Sequence, residues 1–144
     1  MAEAGANTGL LTVRLVSPDR LLLDTTAESV ELPSSAGYLE TLYGAAPLLS
    51  ELGAGEVRLH GGSSHNEMYF VAGGFVEVLP ERVTILAETA LDPKEIDTDE
   101  ARQELAQGTK MWGEAGDDPA KYDAANAVTR RAEEKLASAK GESA

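Results

Sequence analysis

Few residue types able to do covalent or redox chemistry occur in this chain. None of its 144 residues is a cysteine, which excludes disulfides and zinc–thiolate centres. The two histidines, His60 and His65, flank Gly61-Gly62-Ser63-Ser64. A metal site needs three or four converging ligands, so this pair reads as solvated loop residues. Gly73-Gly74 follows a strand pattern but precedes a second strand pattern. A dinucleotide turn would open a helix instead, so the pair reads as a bulge or tight bend. There is no nucleophile elbow, no P-loop and no His-Glu metal helix. The carboxylates are numerous but fall at outward positions, and none has the apolar setting that would make it a general acid. The residues point to binding of other proteins rather than to catalysis.

Composition narrows the partners. Twelve Lys and Arg stand against 25 Asp and Glu, a formal net charge of −13. Such a chain repels phosphate backbones and anionic membrane surfaces, so nucleic-acid binding is not expected. No run of about 18 apolar residues is present to span a bilayer, so no direct membrane insertion is expected. The N-terminal stretch Met1–Asn7 has neither the basic start nor the apolar core of a secretory signal. The expected location is therefore cytoplasmic, with any membrane attachment made through a partner protein.

The elements that position these residues fall into two halves. Through residue 91 the period is two. Leu11, Val13 and Leu15 alternate with Thr12, Arg14 and Val16; Val57 and Leu59 alternate with Glu56, Arg58 and His60; Val83, Ile85 and Ala87 alternate with Thr84, Leu86 and Glu88. Alternation of this kind faces one side of each strand to a core and the other to water. Breaks at Ser17-Pro18, Pro33-Ser34-Ser35, Gly61 to Ser64, Gly73-Gly74 and Pro80 separate many short strands. The expectation is an antiparallel β-sandwich or barrel over residues 1–91.

From Asp92 onward the period becomes helical. Asp97 followed by Glu100 has the spacing of a capping box, and Ala101, Leu105, Gly108 and Trp112 share one helical face. Gly113 and Gly116 end that helix. Asp118-Pro119 opens a second, in which Tyr122, Ala125, Val128, Ala132, Leu136 and Ala139 lie on one face before Gly141 stops it. Residues 92–144 are therefore expected to form an antiparallel two-helix hairpin, giving an α+β chain of two parts. The facing stripes are mostly alanine and glycine, and Gly108 mid-helix costs up to about 1 kcal/mol against alanine. A hairpin held so lightly, to itself and to the strand-built part, suits a movable element. Basic residues concentrate there: 8 against 13 acids from Asp92 onward, compared with 4 against 12 before it.

The stretch Phe70-Val71-Ala72-Gly73-Gly74-Phe75-Val76-Glu77-Val78-Leu79, continuing through Val83-Thr84-Ile85-Leu86-Ala87-Glu88-Thr89-Ala90, resembles the signature of the ATP synthase epsilon subunit family. The opening Leu11-Thr12-Val13-Arg14-Leu15-Val16-Ser17-Pro18 is similar to that family's first strand. Gly37-Tyr38-Leu39 and Gly44-Ala45-Ala46-Pro47-Leu48-Leu49 are similar to its loop near the membrane rotor ring. Glu40, Tyr43 and Ala45 depart from the glycine, proline and histidine usual there. The likeness runs from about Leu11 to Ala139.

The resemblance implies a non-catalytic rotor subunit of the proton-translocating ATP synthase. It would sit peripherally at the cytoplasmic face of the cell membrane and couple proton flow to ATP synthesis. The sandwich would bind the gamma subunit and rest on the c-ring. The hairpin would fold up in one state and in another extend into the catalytic alpha and beta subunits, blocking ATP hydrolysis. Lys121, Arg130, Arg131, Lys135 and Lys140 would then face acidic segments. Some relatives bind ATP on the folded hairpin, without requiring it as a cofactor. Here Asp99 and Arg102 match that motif, Thr98 and Gln103 depart from it, and Arg131 and Lys135 stand where relatives place two arginines. Two other readings are a nucleotide-sensing sandwich whose tail position is set by ATP, and a generic protein-binding sandwich.

Overall fold

The computed structural model describes residues 9–64 and 66–141, so His65 lies outside the described residues. Eight strands come first: β1 (Leu11–Val16), β2 (Leu21–Ala27), β3 (Ser29–Ser34), β4 (Gly37–Leu42), β5 (Leu48–Glu51), β6 (Ala54–His60), β7 (Met68–Val78) and β8 (Arg82–Leu91). Helices α1 (Thr98–Gly113) and α2 (Pro119–Lys140) follow. The chain divides into two compact units between Ala90 and Leu91. The α+β reading, a strand-built sandwich followed by two helices, holds.

The strands hydrogen-bond in the order β2-β1-β8-β7-β6-β3-β4, with β5 added on β7. Pairings β1/β2, β3/β4, β3/β6, β5/β7 and β6/β7 are antiparallel, as an all-antiparallel reading requires. The exception is β1/β8, which runs parallel with Val13 opposite Val83 and Leu15 opposite Ile85. Sequence alternation specifies which side of a strand is apolar but not the direction of its neighbour, so this detail is invisible before folding.

The alternating positions do close the core. Leu11, Val13 and Leu15 meet Val30, Leu32, Val57, Leu59, Val83 and Ile85, all with no solvent exposure. Strand β7 belongs to two ladders at once. Its first half pairs with β6, Ala72 opposite Ala54, and its second half pairs with β5, Phe75 opposite Glu51. Between the halves, Gly73 and Gly74 take φ of 74° and 105°, a region open to glycine and closed to most other residues. Val71 and Val76 both enter the core although they are five positions apart, which strict alternation would put on opposite faces. The glycine pair therefore resets the alternation by one position, as a β-bulge does. Of the two expectations, bulge or tight bend, the change of phase within an unbroken strand fits the bulge. A two-residue turn, Pro80-Glu81, then leads into β8, closed by paired backbone hydrogen bonds of 2.8 and 3.3 Å between Leu79 and Arg82.

The second unit begins with a short 3-10 turn at Pro93–Glu95, where Asp92 and Glu95 form a reciprocal capping box. Helix α1 is capped by Asp97, whose carboxylate accepts from the backbone N–H groups of Asp99 and Glu100. Helix α2 starts with Asp118 as cap and Pro119 in its first turn, and ends at Gly141 in the left-handed conformation. The stripe read from the sequence of α2 is the covered one: Ala125 and Ala132 are buried, and Tyr122, Val128, Leu136 and Ala139 are half-buried. On α1, Ala101 and Gly108 are buried, Leu105 is half-buried and Trp112 is exposed. Trp112 instead meets Tyr122 edge to face, ring centroids 5.1 Å apart.

Gly108 has a positive role in this pairing. A Cβ there would lie 2.6 Å from Thr129 Cγ2 and 3.0 Å from the Thr129 backbone nitrogen. The glycine lets the two helices approach more closely than any side chain allows. That closeness offsets its propensity cost, which the sequence alone shows only as a weakness.

Candidate functional site

In the strand unit, a site must be built from whatever the outward positions of the sheet offer. Outward positions are usually polar, and here several are not. Phe75 on β7, Leu86 on β8 and Leu21 on β2 are each more than half exposed. Register places them in one line. Val16 of β1 is opposite both Leu86 and Leu21, and Phe75 lines one shallow groove with Leu86, Val16 and Pro18. Leu21 reaches this position because the β1/β2 register slips between Leu15 and Val16. The result is an apolar row crossing four adjacent strands. Its rim is polar, with the Arg14–Asp24 ion pair at 3.1 Å on one side and Glu51 opposite Phe75 on the other.

A second apolar group lies at the β4–β5 connection. Leu42, Tyr43, Leu48 and Leu49 are all exposed there, Leu49 at 72%. Leu49 pairs with Glu77 and so shares the outward side with Phe75, which connects this group to the row. The connection is fixed rather than loose: the Gly44 N–H donates to the Pro80 carbonyl at 2.7 Å, tying it to the β7–β8 turn. The three positions that depart from the family pattern have separate fates. Tyr43 is exposed, Ala45 packs against the core, and Glu40 sits opposite Glu31 on the neighbouring strand. Glu31 is in turn held by His60, whose Nε2 is 2.7 Å from its carboxylate.

Sequence reading left these apolar residues unmarked as a group, although a signal existed. Leu86 stands in the polar phase of β8, between Thr84 and Glu88, and Phe75 stands in the polar phase after the bulge. Apolar residues in the polar phases of several strands are the trace that a contiguous exposed apolar patch leaves in sequence. Strand β6 holds an ion pair that sequence reading passed over, because alternation had read Glu56 as an outward position. Glu56, 1% exposed, accepts from Arg58 Nε and Nη2 at 3.2 and 3.0 Å, and its backbone N–H donates to the Tyr38 hydroxyl at 2.9 Å.

The four hairpin residues implied by family resemblance fall into two separate pairings. Asp99 and Arg102 pair with each other one turn apart on α1, at 3.0 Å and largely in solvent. Arg131 and Lys135 on α2 both turn to Glu104 of α1, Lys135 Nζ at 2.8 Å from Oε1 and Arg131 Nε at 3.4 Å from Oε2. Glu104 was not singled out in the sequence. Its place three residues after Ala101 and four before Gly108, on the face turned to α2, is the mark it carries there.

Comparison with known proteins agrees with this architecture. A family profile described as "ATP synthase, Delta/Epsilon chain, beta-sandwich domain" matches residues 10–93. The chain is 40% identical over 135 residues to the ATP synthase epsilon chain of Synechococcus elongatus, covering 91% of this chain and 96% of that one. It is 38% identical over 133 residues to the epsilon chain of Microcystis aeruginosa, with the same coverages. A match to the Koribacter versatilis epsilon chain reaches 44% identity but spans 62% of each chain. Among solved structures, a chain of the Euglena gracilis mitochondrial ATP synthase superposes with a TM-score of 0.72 at 18% identity, covering 88% of this chain and 79% of that one. A chain from the central stalk and c-ring of the Tetrahymena thermophila enzyme gives 0.60 at 17%, covering 92% and 96%. With the profile and two near-full-length relatives in agreement, the chain belongs to the epsilon-chain family of ATP synthase, whose members are non-catalytic subunits of that complex.

Proposed function

We propose that this chain is a rotor component of the central stalk, docking through its strand unit to the gamma subunit and the c-ring so that proton flow is coupled to ATP synthesis. The observation that carries the reading is the apolar row Phe75, Leu86, Val16 and Leu21. A monomeric soluble protein seldom leaves aromatic and leucine side chains contiguous on one face, and a polar rim around an apolar centre is the anatomy of a protein–protein contact. The row would meet gamma. The exposed Leu42, Tyr43, Leu48 and Leu49 around the β4–β5 connection would meet the ring. No helix among the described residues is long and apolar enough to cross a membrane. Attachment to the cytoplasmic face of the membrane would then come through the complex.

The hairpin is the regulatory part in this reading. The residues its helices bury fully are alanine, glycine and serine, which contribute little apolar area at about 25 cal/mol per Å². Both helices carry their own caps, so each keeps its ends satisfied when the pair separates. An extended hairpin would present Lys121, Arg130 and Lys140 to acidic segments of the alpha and beta subunits and slow ATP hydrolysis. The test has two arms. Co-expression with the gamma subunit is expected to yield a stable pair, and failure to form one removes the docking role. In the assembled complex, a chain ending at Leu91 is expected to raise ATP hydrolysis several-fold with assembly intact. An unchanged rate removes inhibition by the hairpin and leaves docking standing.

A further inference from the structure

Between the two helices, Glu104 stands apart from its surroundings. It is an acid that α1 places against α2 in an interface whose fully buried residues are small, and its side chain is only 19% exposed. Lys135, 15% exposed, holds Oε1 at 2.8 Å, and Arg131 approaches Oε2 at 3.4 Å. The 3.4 Å contact lacks hydrogen-bond geometry, and among the described residues Oε2 is buried with no hydrogen-bond partner. A buried carboxylate with one oxygen unsatisfied gains less than its desolvation demands if stability alone is considered. What it does accomplish is to occupy, with its own charge, the space between two cations that converge from successive turns of one helix.

We propose that Glu104 is a built-in anionic ligand. Its carboxylate fills the seat that Arg131 and Lys135 would otherwise offer to an external phosphate, so the hairpin closes on itself without any bound anion. Arg131 and Lys135 are four residues apart and so lie on one side of α2, where like charges repel unless an anion lies between them. Glu104 supplies that anion from the opposite helix and ties the helices together in the same contact. Asp99 and Arg102, already paired with each other, do not contribute to it. Closure of the hairpin therefore needs no bound anion, and nucleotide concentration has little grip on it. The inference rests on the hairpin's own geometry and stands whether or not the strand unit binds gamma.

The test is hydrogen exchange of the full chain and of Glu104→Gln, each with and without millimolar inorganic pyrophosphate. In Glu104→Gln, amides of α2 around residues 128–136 are expected to exchange roughly tenfold faster, with strand amides unchanged as the internal check on folding. Pyrophosphate is expected to restore protection in Glu104→Gln and to leave the unaltered chain as it was. A further variant, Glu104→Gln with Lys135→Met, is expected to lose the restoration, since one wall of the seat is gone. Three results would each overturn the proposal: unchanged exchange in Glu104→Gln, no restoration by pyrophosphate, or protection of the unaltered chain by pyrophosphate to the same degree.

Discussion

At the scale of single residues, two glycines carry more of this structure than most side chains do. Gly74 holds φ of 105° inside β7, and a Cβ there would fall on the Leu86 carbonyl oxygen and 3.0 Å from the Ala87 Cα. Gly74→Ala is therefore strained in its backbone and blocked by backbone atoms that cannot rotate away. A loss of about 2–4 kcal/mol is expected in denaturant unfolding of the strand unit. Gly108 gives the less obvious case. Alanine there improves helix propensity by up to about 1 kcal/mol. The added methyl meets Thr129 at 2.6 Å, however, and crowding of this kind costs about 1–3 kcal/mol. Gly108→Ala is expected to loosen the helix pair, read as faster amide exchange in α1 and α2. Slower exchange would mean that propensity outweighs packing. The sequence marked both glycines, one as a bulge and one as a weak point. Only the first reading was complete, because a glycine's local cost is visible in sequence and the atoms its absence of a side chain admits are not.

At the scale of elements, strands were legible through alternation and helices through caps and spacing. The neighbours of each strand were not. The parallel β1/β8 pairing and the double membership of β7 depend on which hydrophobic sides find each other in space, and the apolar row depends on that pairing in turn. Phe75, Leu86 and Leu21 are far apart in the chain and look unrelated until register aligns them. Among the hairpin residues, family likeness pointed to Asp99, Arg102, Arg131 and Lys135, whereas the partner that two of them use, Glu104, emerged only from the facing of α1 on α2. The row makes a sharp prediction. Phe75 is half exposed but stands opposite Glu51, so Phe75→Glu should cost the free chain only about 1–2 kcal/mol, leaving it folded. At the centre of a buried contact the same change should weaken association with gamma at least tenfold. Thermal unfolding and a binding titration separate the two effects, and equal affinity for both chains would relocate the contact.

At the scale of the whole molecule, the two units differ in what holds them. Every residue of the contiguous hydrophobic core lies between Leu11 and Ala90. A chain ending at Leu91 therefore keeps the entire core, and it is expected to unfold in a single cooperative thermal transition followed by circular dichroism in the far ultraviolet. A broad, gradual transition would show that the strand unit depends on the residues removed. The change of period near Asp92 was readable in advance because helical and extended chains repeat apolar residues at different intervals. The exposed apolar row was not, since it is assembled from strands that sequence presents in pieces.

Strand β7 has a mechanical consequence. Its eleven residues are hydrogen-bonded to β6 in one half and β5 in the other, and its far end leads into the turn that anchors Gly44. A twist applied at Phe75 reaches the β4–β5 connection by two routes, the β5 ladder and the hydrogen bond from Gly44 to Pro80. Displacing one end relative to the other means sliding whole ladders at once, rupturing many bonds together rather than unzipping them in turn. In the proposed role, turning with a shaft, such a spar would carry torque from one end of the strand unit to the other.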